Sequence, residues 1–179
     1  MRKIILELTA SLDSYIEGPN REIDWIKFDD TAADYLSSFA DEIDTVLYGR
    51  ISYELWGDYE MSAQDGFADK MGAMKKLVFS DTMEPREGIE VVRSSQLMPT
   101  ITKLKLLPGK NIWLYGGGKL ITAFVNADLV DEYRIAVQPV ILGAGNPLFK
   151  DISRRVNLKL LKSTPWPDSG VVSLIYERV

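Results

Sequence analysis

A glycine triplet separates two apolar segments in the second half of the chain. Residues 112–115 (IWLY) are apolar, Gly116, Gly117 and Gly118 follow, and apolar residues at helical spacing resume at Leu120. This order predicts a strand, a tight turn and a helix whose first backbone N–H groups can bind an anion, which glycine allows to come close. The segment matches neither G-x-G-x-x-G nor a P-loop. A phosphate site and a plain strand-to-helix turn are therefore both open interpretations.

A second apolar run also ends in glycine at a predicted helix start. The predicted strand 45–48 leads to Gly49, and Arg50, Ile51 and Ser52 form the first helical turn. Arg50 can bind a phosphate through two parallel hydrogen bonds, and the Ser52 hydroxyl can donate another. Alternatively, Arg50 pairs with a nearby carboxylate and Ser52 caps the helix. Because ligands bind at the carboxyl ends of strands in α/β sheets, the two turns together predict a shared crevice.

A polar loop after the first predicted strand, residues 3–9, carries a carboxylate at Asp13. A carboxylate in this position can orient a substrate or transfer a proton, so Asp13 is the candidate catalytic residue. Alternatively, Asp13 only caps its own loop. Four aromatic residues are candidates for lining the substrate pocket, with core packing as the alternative: Tyr15, Trp25, Tyr53 and Trp56.

The composition excludes several classes of site. The 179 residues include no cysteine and no histidine, which rules out disulfides, thiolate nucleophiles, Ser-His-Asp triads and ordinary zinc sites. With 21 basic and 26 acidic residues, the net charge of −5 argues against binding to nucleic acid or a membrane surface. The N-terminal apolar run ends at Glu7, too early for a signal peptide or a spanning helix, so we expect a cytoplasmic protein.

Strands and helices alternate along most of the chain. The predicted strands are 3–9, 45–48, 76–80, 89–93, 111–115, 132–142, 156–162 and 171–178. Helices are predicted after Asp29-Asp30, after Gly49, over 67–75 and 97–107, and after the glycine triplet. This alternation predicts one three-layer α/β domain over residues 1–179, with a mainly parallel sheet and antiparallel C-terminal strands. The connection Pro165-Trp166-Pro167 with Gly170 is predicted to join the last two strands.

Four stretches carry a resemblance to a known family: residues 9–20, 44–56, 76–82 and 112–149. They resemble the dihydrofolate reductase-like superfamily, in the branch of the reductase domain of the bifunctional riboflavin-biosynthesis deaminase-reductase. The resemblance implies an NADPH-dependent reductase with a central sheet of about eight strands, commonly a homodimer. It also implies a cis peptide bond between Gly116 and Gly117. Apolar residues in the last strand, 171–178, support the homodimer because they are too apolar for an open edge.

The resemblance also implies which residues contact the cofactor. Ala10 and Ile16 would lie near the nicotinamide, and Ser80 would lie on the adenosine side. The two glycine turns would hold the phosphates through Gly49, Arg50, Ile51, Ser52, Gly116, Gly117, Gly118, Lys119 and Leu120, and Thr122 would add a hydroxyl.

Two residues depart from the pattern that the resemblance implies, and one family role has no single candidate. Ser14 replaces the glycine that follows the loop aspartate, and Tyr115 replaces a glutamate before the glycines. The resemblance also implies a carboxylate on the first helix that protonates folate. Asp34, Asp29 and Asp30 are all candidates for this role, so none of them is assigned.

We therefore expect a reductase that transfers hydride to a small pterin- or pyrimidine-like substrate. A non-catalytic nucleotide sensor on the same fold is the alternative, and a ligand-free dimeric scaffold is a third. NADPH is favoured over NADH because Arg50, Ser52 and Lys119 outnumber Asp81, which would repel the 2′-phosphate unless it pairs with Arg50.

Overall fold

One eight-stranded sheet organises the chain in a computed structural model that describes residues 1–57 and 66–179. The strands follow the order β5-β4-β3-β6-β1-β7-β10-β9. Their bounds are β1 Ile4–Ser11, β3 Ile43–Gly49, β4 Lys75–Phe79, β5 Ile89–Val92, β6 Asn111–Gly116, β7 Glu132–Gln138, β9 Leu158–Trp166 and β10 Val171–Arg178. Strands β2 (Tyr15–Glu17) and β8 (Asn146–Pro147) form a separate two-stranded ribbon.

Helices cover both faces of the sheet, as the alternating pattern predicts. They are α1 Asp30–Asp41, α2 Arg50–Ser52 with a π-helical turn Tyr53–Gly57, α3 Phe67–Ala73, α4 Leu97–Leu106 and α5 Gly118–Asn126, with a 3-10 turn at Ser94–Gln96. Asp29 caps α1, because its carboxylate accepts a hydrogen bond from the amide of Ala32 at 2.9 Å. Among the described residues, none of the helices is long and apolar enough to cross a membrane.

Two apolar cores lie on opposite faces of the sheet and give the three layers. On one face, Phe39 of α1 and Phe67 of α3 pack with Trp113 of β6. On the other, Ile101 of α4 and Phe124 of α5 pack with a set of sheet residues that includes Ile4, Leu6, Leu47, Leu77 and Leu114. Ile5 of β1 belongs to the first core, whereas Ile4 and Leu6 belong to the second, so successive side chains of β1 point to opposite cores.

Strands β1, β3, β4, β5, β6 and β7 are parallel, while β10 and β9 run antiparallel at one end of the sheet. The carboxyl ends of β1, β6 and β3 therefore lie side by side at one edge. This is where α/β sheets bind ligands.

The structure corrects three predictions about the C-terminal third. Strand β7 ends at Gln138, not at residue 142, because Pro139 follows and the amide of Val140 turns back to the Gln138 carbonyl. Strand β9 continues through Trp166, since an edge strand tolerates Pro165. Strand β10 is not an open edge: it lies between β7 and β9, so its apolar residues have partners within the sheet.

Candidate active site

The two glycine turns predicted from the sequence contact each other at the carboxyl edge of the sheet. A Cβ atom added at Gly49 would lie 3.5 Å from the amide nitrogen of Gly117. A Cβ atom added at Gly117 would lie only 2.9 Å from the Ser52 hydroxyl oxygen, closer than real Cβ atoms approach. The Gly116–Gly117 peptide is cis, as the resemblance implied. The shared crevice is therefore built from these two turns.

The first turn of α5 offers backbone donors, but not from every predicted residue. The amides of Leu120 and Ile121 both donate to the Gly117 carbonyl, at 2.9 and 3.1 Å. The Leu120 amide is thus already bonded, and the Leu120 side chain is buried in the core. Neither group is exposed for the cofactor contact predicted for this residue. The amides of Gly118 and Lys119 precede the first helical hydrogen bond and are the ones that can meet an anion.

Asn146 is a neighbour that the sequence did not indicate. Its side-chain amide would lie 3.5 Å from a Cβ atom at Gly118, which places a polar group of the small ribbon beside the start of α5.

The predicted cation of the second turn is paired within its own helix. The Arg50 guanidinium forms an ion pair with Glu54 at 2.8 Å, and both side chains are more than 40% exposed. The carboxylate alternative therefore occurs, with Glu54 as the partner instead of Asp81. Ile51 is exposed beside Arg50, and Ser52 faces the interior. A helical pair this exposed is weak, so an incoming phosphate can compete for Arg50.

The residues predicted to lie on the adenosine side follow β4. The buried Ser80 hydroxyl accepts hydrogen bonds from the amides of Thr82 and Met83 at 3.2 and 2.9 Å. Asp81 accepts from the hydroxyl and the amide of Ser94, and these bonds lower the pKa of Asp81. Asp81 is therefore ionised at neutral pH.

Three other predicted residues have contacts that define their surroundings. Thr122 donates its hydroxyl hydrogen to the Lys150 carbonyl at 2.7 Å, so this hydroxyl ties α5 to the segment after β8. Ala10 is buried near the end of β1, and Ile16 of β2 lines the cavity described below.

Asp13 holds a loop in place. Its carboxylate accepts hydrogen bonds from the amides of Leu142 and Gly143, at 3.1 and 2.8 Å, and from the Ser11 hydroxyl at 2.7 Å. Partial desolvation works against the charge, yet these bonds hold the pKa of Asp13 below its ordinary value. Asp13 is not among the residues that line the cavity. The geometry therefore gives Asp13 a positioning function for the loop after β7, and its catalytic role stays a prediction.

A cavity of about 720 Å³ opens between α1 and the sheet and reaches the glycine turns. Ser52, Gly117 and Ile121 line the end at these turns. Aromatic and apolar side chains line most of the remainder, among them Ile16, Tyr35, Leu36, Tyr48, Trp56, Phe67, Trp113, Tyr115 and Trp166. Of the four predicted pocket aromatics, only Trp56 lines the cavity. A space of this size and lining suits a small flat ligand.

Glu7 is the carboxyl group that faces this cavity from the sheet. It is 5% exposed, and its backbone carbonyl accepts a hydrogen bond from Trp113 Nε1 at 2.9 Å. Desolvation raises the pKa of Glu7 to about 8, although the charge of Arg134 works in the opposite direction. The sequence contained one signal for this residue, a glutamate inside an otherwise apolar strand.

The glycine turns fit a dinucleotide phosphate. A Cβ atom at Gly117 would meet the Ser52 hydroxyl, the amides of Gly118 and Lys119 precede the first hydrogen bond of α5, and Arg50, Ser52 and Lys119 supply polar groups. Lys119 has no carboxylate within ion-pair distance in the described parts of the chain. For the same residues, no group of carboxylates is arranged to hold a metal ion.

The chain is similar to known proteins over most of its length. The chain is 42% identical to the uncharacterized protein YyaP of Bacillus subtilis (strain 168), with 98% of this chain and 94% of that protein covered. It is 32% identical to the uncharacterized protein YwjB of the same organism, covering 89% of each.

Solved structures share the fold. A Shewanella sp. PV-4 protein, provisionally named for riboflavin biosynthesis, has a TM-score of 0.80 at 24% identity, covering 100% and 99% of the two chains. The Thermotoga maritima diaminohydroxyphosphoribosylaminopyrimidine deaminase/5-amino-6-(5-phosphoribosylamino)uracil reductase has a TM-score of 0.75 at 16% identity, covering 99% of this chain and 57% of that one. Enterococcus faecalis dihydrofolate reductase, complexed with NADP(H), has a TM-score of 0.68 at 13% identity, covering 98% and 96%.

These similarities bear out the dihydrofolate reductase-like fold that the resemblance implied. The match to the RibD C-terminal domain extends over residues 2–172, nearly the whole chain. The chain belongs to the RibD C-terminal domain family.

Proposed function

We propose that the protein is an NADPH-dependent reductase that transfers hydride to a small pterin- or pyrimidine-like heterocycle. Its family and fold support this proposal, because the Thermotoga protein of the same fold is named as a uracil-derivative reductase and the Enterococcus protein as a dihydrofolate reductase with NADP(H). We further propose that it acts as a homodimer.

One observation carries the proposal: a single cavity joins the glycine turns to an aromatic pocket. Ser52 and Gly117 line one end, and Tyr35, Trp113 and Trp166 line the other part of the same 720 Å³ space. A dinucleotide held at the turns and a flat substrate held in the pocket would therefore meet inside one enclosure. Such positioning is the main contribution of a protein to hydride transfer.

Different residues of the chain would bind the phosphates, the nicotinamide and the substrate. The amides of Gly118 and Lys119, with Arg50 and Ser52, would hold the phosphates, and Ile16 would pack near the nicotinamide. When bound, NADPH supplies the hydride. The aromatic lining excludes water and orients the substrate ring.

The test is binding followed by turnover. We expect calorimetry to show NADPH binding to the wild-type protein, and we expect NADPH to be oxidised when a panel of pterins and pyrimidines is added. A non-catalytic sensor would bind NADPH and leave it unoxidised with every acceptor. A protein that binds neither NADPH nor NADH would contradict the proposal.

A further inference from the structure

Glu7 is a buried carboxyl group that faces the cavity and has no hydrogen-bond partner in the described part of the chain. No hydrogen bond or ion pair joins its carboxyl group to any residue in the described ranges 1–57 and 66–179. Burying a polar group without such a partner costs free energy of folding. A group kept at this cost inside a ligand-sized cavity is explained physically by a ligand that provides the missing partner.

The charged and titratable groups around Glu7 leave it without an ion-pair partner. Arg134 of β7 lies opposite Glu7 in the sheet, but its guanidinium binds Glu132 at 2.6 Å and Glu42 at 2.8 Å. Tyr35 of α1 and Tyr115 of β6 also face this region, and burial, followed by the charge of Glu7, raises the pKa of both hydroxyls. Both tyrosines are therefore neutral neighbours.

Two further polar side chains of the lining are bonded elsewhere, and the charged groups Glu17 and Lys76, which also line the cavity, form no ion pair with Glu7 in the described ranges. The Lys27 ammonium donates to the Ser169 carbonyl at 3.0 Å. The Gln138 carboxamide oxygen accepts from the Lys27 amide at 3.1 Å. Glu7 thus combines three properties on this wall: it can carry a proton, it is shielded from bulk water, and its carboxyl atoms have no partner among the residues that the structure describes.

We propose that Glu7 is the proton donor to the substrate, binding an acceptor nitrogen or carbonyl oxygen of an uncharged heterocycle through its carboxyl hydrogen. This inference rests on the reductase function proposed above. It assigns the acid to strand β1, whereas Asp34 of α1 is exposed and Asp13 binds the loop after β7.

The proton and electron balance is simple. The hydride from the reduced dinucleotide brings two electrons to the carbon of a C=N or C=O bond. The π-bond electrons then form the new N–H or O–H bond with the Glu7 proton. The Glu7 O–H bond breaks, leaves a carboxylate, and solvent restores the proton after product leaves. A proton donor in this position works only below the pKa of its carboxyl group.

The experiment compares wild type with E7Q and uses D34N as the matched control. Protein labelled with carboxyl-¹³C glutamate is titrated by NMR, and the Glu7 signal is identified by its loss in E7Q. We expect a carboxyl that stays protonated at pH 7 and ionises near pH 8. Calorimetry then measures NADPH binding, and turnover is followed with the acceptor that the wild type reduces.

We expect E7Q to bind NADPH as the wild type does and to lose at least about 100-fold in kcat, the usual contribution of a general acid. The fall in wild-type rate above pH 8 should be absent from the residual E7Q activity, and D34N should keep the wild-type profile.

Two results would overturn the assignment of Glu7: a carboxyl that titrates at its ordinary pKa in the NMR experiment, or an E7Q variant with wild-type kcat and pH profile. Absence of NADPH binding in the wild type would instead overturn the proposed function, so the two failures are distinguishable.

Discussion

At the scale of single residues, Glu7 and Asp13 show how surroundings shift the pKa of two carboxyl groups in opposite directions. Glu7 lies in strand β1, and Asp13 lies in the loop that follows it. Asp13 accepts three hydrogen bonds, which hold its pKa below the ordinary value. Glu7 has its carboxyl group in an apolar enclosure and stays protonated at neutral pH. Chemical type alone therefore does not identify the acid in this site.

The buried Glu7 predicts a pH-dependent stability. The folded protein keeps the Glu7 proton up to about pH 8, while the unfolded chain loses it above its ordinary value of 4.5. Unfolding therefore releases a proton between these values, and the free energy of unfolding falls as pH rises. One pKa unit corresponds to about 1.4 kcal/mol, so this contribution amounts to several kcal/mol at most.

Urea unfolding of wild type and E7Q at pH 5, 6, 7 and 8 tests this expectation. We expect the stability of wild type relative to E7Q to fall steadily over this range, because glutamine cannot ionise. Parallel stability curves for the two proteins would show that Glu7 has an ordinary pKa.

Asp81 predicts how the protein distinguishes the two nicotinamide cofactors. It is ionised and exposed after β4, where the proposed adenosine half would lie, and there it would repel the 2′-phosphate of NADPH, while Arg50 and Lys119 would attract it. We expect NADPH to bind more tightly than NADH, with a gap that narrows as salt is added.

The variant D81S should widen the NADPH/NADH affinity ratio by about threefold to tenfold, as measured by calorimetry. D168N, which removes an exposed charge from the turn between β9 and β10, is the control and should leave the ratio unchanged. Equal or tighter binding of NADH to the wild type would contradict the preference for NADPH.

At the scale of elements, the two glycine turns act as a pair because β3 and β6 are adjacent and parallel. Gly117 lies so close to Ser52 that a methyl group would have to displace the hydroxyl or enter the crevice. We expect G117A to lose NADPH binding by calorimetry while it stays folded by circular dichroism.

A double variant separates packing from ligand exclusion in that experiment. G117A/S52A removes the hydroxyl that the new methyl group meets, so its thermal stability should recover toward that of S52A. If the double variant also recovered full NADPH affinity, compared with S52A, the methyl group would not be blocking the phosphate site.

Edge strand β9 carries exposed apolar residues that favour self-association. Leu158, Leu160 and Leu161 are each more than a third exposed on this strand, and an apolar open edge favours pairing with another chain. The homodimer was predicted from the apolar residues of β10, but the exposed apolar residues lie mainly on the neighbouring strand β9.

Light scattering at micromolar concentration should therefore give a dimeric mass, and L160K should give a monomer, because it places a charge in the contact. L106K introduces the same change at an exposed leucine of α4 and should leave the dimer intact. A monomeric wild type would contradict this prediction.

At the scale of the whole molecule, local sequence patterns predict which elements form better than they predict which elements pair with each other. Alternation of apolar runs and glycine turns gave β1, β3, β6 and α5 nearly as observed, since each is defined by its own residues. The ribbon of β2 and β8 was missed because two or three residues show no periodicity and pair with a strand about 130 residues away.

The candidate site also contains residues that local sequence predicts and residues that only the assembled fold identifies. Gly49 and Gly117 could be predicted because each ends a strand, and parallel strands bring such ends together. Glu7 could not be assigned, because its chemistry depends on a cavity formed by α1, β6 and β7 around it. Ser14 adopts a left-handed conformation with φ of 67°, which favours the glycine that the resemblance implied at this position.

The tryptophans give the molecule an optical reporter of its own cavity. Three of the four, Trp56, Trp113 and Trp166, line the enclosure, and the Trp113 indole binds the backbone of Glu7. Their fluorescence should therefore change when a ring enters the pocket, and NADPH, which absorbs near tryptophan emission, should quench it by energy transfer. Occupancy of both parts of the cavity can thus be followed by intrinsic emission in an unlabelled protein, with a Trp113→Phe variant reporting on the Glu7 wall.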